Sequence, residues 1–117
     1  MIDVRIVCGV AAGLVAAILV AAGPAQAADA AKGKQTFARA GCWQCHGYEG
    51  QGGVAGPKIA PEPIPFETFS SFVRTTSRQM PPYSEPVLPD ADLADIHAYL
   101  QSVPKPPDPK SIPLLNQ

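Results

Sequence analysis

Cysteine, histidine and methionine are scarce in this chain. Its 117 residues include three Cys, two Met and two His. A structural zinc site wants four ligands, usually two cysteine pairs, and a disulfide framework wants an even set of cysteines. This stock indicates neither. Charged residues are also sparse, at 16%, and the formal net charge is −1. There is no basic run or stripe, which argues against nucleic acid as a partner, and too little net charge for strong long-range steering. No segment alternates apolar and polar residues convincingly enough to read as a strand, and no internal repeat is visible. Proline and glycine are abundant, with 14 and 10 copies. Most of them lie beyond residue 46, where they predict long loops.

The N-terminus has the pattern of an export signal. Arg5 precedes an almost wholly apolar run, Ile6 to Ala22, rich in Ala, Val and Gly. Pro24 interrupts it, and Ala25-Gln26-Ala27 fits a small-x-small cleavage site. Residues 1–27 are therefore expected to be a cleaved secretory signal peptide. The competing reading is an uncleaved membrane anchor, but the run is slightly shorter than the ~20 residues of a spanning helix and is poor in Leu and Ile. Cleavage removes Cys8, Arg5 and Asp3, so the mature chain keeps a net charge of −1 and only two cysteines.

Those two cysteines stand in Cys42-Trp43-Gln44-Cys45-His46. Two cysteines three apart with histidine directly after the second form the attachment signature of a c-type haem. Each thiol can form a thioether with one haem vinyl group, and the histidine that follows supplies an imidazole nitrogen to the iron. A thiol–disulfide pair needs no trailing histidine and usually sits in a βαβ context, which is absent. Attachment of one haem c through Cys42 and Cys45 consumes both thiols. It requires export to a compartment where apoprotein and haem meet, and for a bacterial-type signal that is the periplasm.

The rest of the chain reads as helices separated by loops. Asp29 to Ala40 has helix-forming composition, with Gly33 and Phe37 on one face, and Gly41 stops it. Residues 47–63 are loop-like. Pro65 can open a second helix, in which Phe66, Phe69 and Val73 recur at helical spacing. Met80-Pro81-Pro82-Tyr83 cannot lie inside a helix. A last helix begins at Pro89-Asp90, with Asp90 as its expected N-cap, and buries Leu93, Ile96, Leu100 and Val103 with Tyr99 at the edge. Pro104 ends it. The remainder, rich in proline, is expected to be extended. So small a domain has a thin core of its own, and a covalently held haem is expected to supply the missing apolar mass.

These residues in this order resemble a class I cytochrome c of the compact bacterial monohaem kind. The resemblance covers residues 30 to 103. It rests on the haem motif, the preceding helix with Gly33 and Phe37, Gly56-Pro57, Met80-Pro81-Pro82-Tyr83 and the closing Ala98-Tyr99-Leu100. It implies an all-α cytochrome c fold, three or more helices and long loops wrapped around one covalently bound haem, with the first and last helices crossing at Gly33. By position it implies His46 as the proximal iron ligand, Met80 as the opposite one, and Pro57 as the residue whose carbonyl accepts the other imidazole N–H. The proline-rich tail is outside the family pattern. The domains so read are the signal at 1–27, a monohaem cytochrome c domain at 28–103 and an extended C-terminal arm at 104–117.

Of the remaining candidates, Ile59, Phe69, Phe72 and Val73 read as core or haem-pocket wall. Trp43 reads as haem-edge cover or surface. Arg74 and Arg78 read as partners for haem propionates or as solvated, Tyr83 as a propionate donor or a packing residue, and His97 as solvated. The implied function is periplasmic one-electron transfer between a redox-protein donor and acceptor. The alternative is a dedicated cytochrome subunit of a periplasmic dehydrogenase complex. A third reading, a haem enzyme or gas sensor, requires an open sixth position and a distal acid or base, for which His97 is the only histidine available. A membrane partner arises only if the signal stays uncleaved. The exported protein is expected to have the mass of residues 28–117 plus one haem. Intact-protein mass spectrometry checks this, and a mass including residues 1–27 sinks the cleavage reading.

Overall fold

The structure, a computed structural model, describes residues 27–116; the predicted signal peptide lies outside the described residues except for Ala27. Four α-helices follow in order: α1 (Ala30–Arg39), α2 (Trp43–His46), α3 (Phe66–Thr75) and α4 (Asp90–Ser102). No strand occurs among the described residues, and none of their helices is long and apolar enough to cross a membrane.

The cap of α1 is Asp29, whose carboxylate accepts from the N–H groups of Ala31 and Lys32 at 2.8 and 3.1 Å. This satisfies two of the helix's orphan donors. At the other end Gly41, at φ 78°, turns the chain. Gly41 N–H donates to Ala38 O and Cys42 N–H to Phe37 O, the paired bonds of a Schellman motif. The helix stop thus delivers Cys42 directly into the one-turn helix α2.

α1 packs chiefly on α4, and α3 makes a smaller contact with α4. Gly33 makes the first contact possible. A Cβ added there would lie 1.9 Å from the backbone oxygen of Asp95, so the two helix backbones meet with no side chain between them. Beside this point Phe37 and Tyr99 pack with ring centroids 5.6 Å apart. Phe37, Leu93, Ile96 and Leu100 are almost wholly buried, each contributing about 1.5–3 kcal/mol relative to exposure.

Polar contacts fix the register of the pair. Asp95, buried on α4, accepts from the Asp29 backbone N–H at 2.7 Å and from Lys32 Nζ at 2.9 Å. Asp92, one turn earlier, pairs with Lys32 at 3.0 Å and Arg39 at 3.2 Å. A buried carboxylate is tolerable because it is so engaged.

Four expectations need correction. His97 is buried, not solvated: one ring nitrogen, Nε2, donates to Ile64 O at 2.9 Å, and the ring packs on Phe66 and Phe69. Loop and α3 together cover a face of α4 that its polarity had suggested was exposed. Asp90 is the first helical residue rather than a side-chain cap, with Pro89 at the cap position. The Asp90 carboxylate pairs instead with Arg74. Val103 is only half-buried. The C-terminal arm is not extended throughout. It forms two 3-10 turns, Pro109–Ser111 and Pro113–Leu115. Asp108 caps the first, and Asn116 Nδ2 lies within hydrogen-bond distance of the Pro109, Lys110 and Ile112 carbonyls.

The Asp29 N–H, and after it the Lys32 ammonium, hold the Asp95 carboxyl below the usual carboxylate range. Its contribution to folding is therefore complete above the unfolded pKa, about 3.9, and is lost as pH falls through the lower folded value. Denaturation midpoints are expected to decline below about pH 4. Asp95→Asn should be less stable at pH 7 yet decline less steeply in acid. Parallel acid declines in the two proteins would assign the effect to other carboxylates.

Candidate haem site

α2 holds the attachment signature on a single turn. His46 is buried at its end, and the following loop is folded back on it. Gly52 N–H donates to His46 O at 2.7 Å, and Ile59 and Ala60 N–H both reach Gly50 O. Gly56 lies against the turn: a Cβ there would come 2.9 Å from the Cys45 backbone oxygen. This brings the Pro57 carbonyl to 2.8 Å from His46 Nδ1. A carbonyl oxygen only accepts, so Nδ1 carries the proton and Nε2 keeps its lone pair for another partner.

A cavity of about 290 Å³ opens beside the ring, lined by Cys42, His46, Pro57, Ile59, Met80 and the apolar side chains of α3 and α4. A second, of about 680 Å³, is lined by Cys45, His46, Pro57, Phe72, Arg78 and Met80. All six residues singled out in the sequence (Cys42, Cys45, His46, Pro57, Ile59 and Met80) therefore line these two cavities. Protein interiors are close-packed with few voids larger than a water molecule. An apolar cavity of this size, walled by much of the small core, suits a large apolar group.

The chemistry of the lining fits a haem. Both cysteines are free, and burial pushes the Cys42 thiol up to about 11. A dithiol redox site needs the opposite, a lowered thiol pKa. Among the described residues no three His, Cys, Asp or Glu side chains gather to hold a metal ion. An imidazole nitrogen and a thioether sulfur are donor types that a haem iron accepts axially, and His46 and Met80 line both cavities.

The other candidates separate. Phe69 and Val73 are buried, whereas Phe72 is 51% exposed and forms cavity wall rather than core. Trp43 stacks on Tyr48, centroids 4.8 Å apart and planes within 9°. The Tyr83 hydroxyl donates to Ala40 O at 2.8 Å, and burial raises its pKa, keeping it a donor. Arg74 is neither solvated nor directed at the cavity: it binds the Tyr83 carbonyl at 2.9 Å and Asp90 at 2.6 Å. Arg78 is exposed. His97 lines neither cavity, so it is no distal acid or base there. Its position was legible after all: Leu93, His97 and Leu100 share one stripe at helical spacing. The contacts of Asp95 with Asp29, of the Tyr83 hydroxyl with Ala40 and of Arg74 with Asp90 span 66, 43 and 16 residues and leave no local signal.

A family model described as "Cytochrome C oxidase, cbb3-type, subunit III" matches residues 28–100. The chain belongs to this family of c-type cytochrome domains, and its all-helical architecture is a cytochrome c fold. Membership implies covalently bound haem c and haem-based electron transfer, which points to a carrier. Searches of curated proteins and of solved structures returned no match.

Gly56→Ala is expected to push the loop away from Cys45 and weaken the His46–Pro57 hydrogen bond. Such a bond is worth roughly 0.5–1.5 kcal/mol net, so exchange of the His46 ring proton should quicken by up to about tenfold. NMR of the haem-loaded protein reads this, and unchanged exchange would show that Gly56 does not set the contact.

Proposed function

We propose that this chain is a periplasmic one-electron carrier with a single haem c, passing electrons between a donor and an acceptor protein. The observation that carries the reading is His46. Its Nδ1 is committed to the Pro57 carbonyl, and its ring lines the same cavities as Met80 and the attachment cysteines. Cys42 and Cys45 would hold the haem through two thioethers. His46 Nε2 and the Met80 sulfur would be its axial ligands. Haem iron so ligated supplies one-electron exchange with little rearrangement, and the thioether favours the ferrous state.

The protein's own part is to orient and to exclude. Pro57 O fixes the tautomer and orientation of the imidazole ring. Ile59, Phe69 and Val73 form apolar wall that keeps water from the iron. Phe72, half-exposed at the wall, marks where a partner could approach over a small, transient interface. Location rests on the signal pattern of residues 1–27 and on the need to attach haem outside the cytoplasm.

A second reading, a dedicated cytochrome subunit of a larger redox complex such as a periplasmic dehydrogenase, is favoured by the arm. Leu114 and Leu115 are 78% and 65% exposed on a segment already braced by Asp108 and Asn116, which lowers the entropy lost on docking. The family description, a subunit of an oxidase, is in keeping with such a role. Co-purification with a dehydrogenase that depends on residues 104–117 would favour it, and identical behaviour without the arm would remove its support.

The test of the carrier reading is the far-red charge-transfer absorption of methionine sulfur on ferric haem. It is expected in the wild type and absent from Met80→Ala, whose reduced form should gain carbon monoxide binding. A wild type lacking the band, or a variant retaining it, would overturn the assignment of Met80.

A further inference from the structure

The segment bearing Met80 is held from several sides, and Arg74 joins two of the holds. After α3 the chain returns alongside it, and Tyr83 N–H donates to Val73 O at 3.0 Å. The Tyr83 hydroxyl reaches the end of α1 at Ala40 O. Arg74 Nη1 donates to the Tyr83 carbonyl at 2.9 Å, while Nη2 donates to Asp90 Oδ1, on the first residue of α4, at 2.6 Å. The Arg74 side chain is 19% exposed and that of Asp90 66%. One guanidinium thereby fastens the far end of the Met80 segment to both α3 and α4.

We infer that Arg74 is a positioning residue for Met80, acting through Tyr83. The planar fork of an arginine can bind two acceptors at once, which an ammonium does less well, and bonds from an ionised donor are stronger than neutral ones. Between Met80 and Tyr83 stand only Pro81 and Pro82. Their fixed φ leaves that link few free torsions. Holding Tyr83 therefore holds Met80. Arg74 lines neither cavity, so its effect reaches the site only through this lever. The inference rests on the proposal that the Met80 sulfur ligates the haem iron.

Titration of the ferric, haem-loaded protein with free imidazole tests it. Imidazole forms an iron–nitrogen bond as the iron–sulfur bond breaks, with no change in oxidation state. Its apparent affinity rises with the fraction of molecules in which Met80 is displaced. Arg74→Gln is expected to bind imidazole at least about tenfold more tightly than the wild type, while still showing the far-red methionine band without imidazole. Arg74→Lys, which keeps the charge but not the fork, should fall between them. Arg39→Gln removes a different ion pair, that with Asp92, and should stay within about twofold of wild type. Asp90→Asn opens the same bridge from its exposed end and serves if Arg74→Gln does not mature. Equal imidazole affinity in the bridge variant and the wild type, with the band present in both, overturns the positioning role and leaves Met80 as ligand. A wild type without the band overturns the Met80 assignment, and the inference with it.

Discussion

Where Gly33 faces Asp95, two helix backbones touch, and much of the molecule is arranged from that contact. A single methyl group at residue 33 would overlap the α4 backbone. Because the helices meet so closely, the Asp95 carboxylate can reach back to the Asp29 N–H and to Lys32, and Phe37 can pack against Tyr99. These contacts fix where α1 lies against α4. The Schellman turn at Gly41 then fixes where Cys42 begins. The attachment signature is thus positioned by a helix crossing some ten residues before it. Tyr99 adds a second tie, its hydroxyl reaching the Tyr48 carbonyl just beyond the signature.

The site divides its labour between apolar wall and polar clasp. Helices α3 and α4 contribute apolar wall from the core cluster itself. That arrangement leaves a small domain with a cavity where a larger protein would have packed side chains. The clasp comes from irregular backbone. The loop after α2 presents the Pro57 carbonyl to His46, and the segment after α3 presents Met80. Loops of this length are uncommon in so small a domain unless they serve a site. Here both are pinned to helices by hydrogen bonds, the first through Gly52 to His46 O and Tyr48 O to Tyr99, the second through Tyr83 to Val73 O and Ala40 O, so the site is held by more than its own lining.

Much of this was legible in the sequence. The three longer helices, the glycine at the crossing, the Phe37–Tyr99 contact and the residues around the cavity could be read from spacing, from punctuation by Gly and Pro, and from the resemblance those features support, whereas the one-turn helix α2 could not. Each of these signals is local or carried by a motif. Two of the corrections, at His97 and Arg74, have a common cause. The polarity of both side chains predicts solvation, but a polar side chain is solvated only if nothing packs over it. The Ile64 carbonyl and the Tyr83 carbonyl are their partners, and a backbone carbonyl has no identity in the sequence.

The sequence by itself determined the chemistry: two thiols and an imidazole on one turn, one methionine braced by prolines, and an apolar stripe on each long helix. These follow from residue type and helical period alone, and the family match spans them at residues 28–100. Only the tertiary structure decided which of two imidazole nitrogens is left free, which carboxylate is buried, and what holds the methionine segment. Those outcomes depend on backbone groups distant in the chain coming within about 3 Å of a side chain, and that proximity exists only once α1, α3 and α4 have packed.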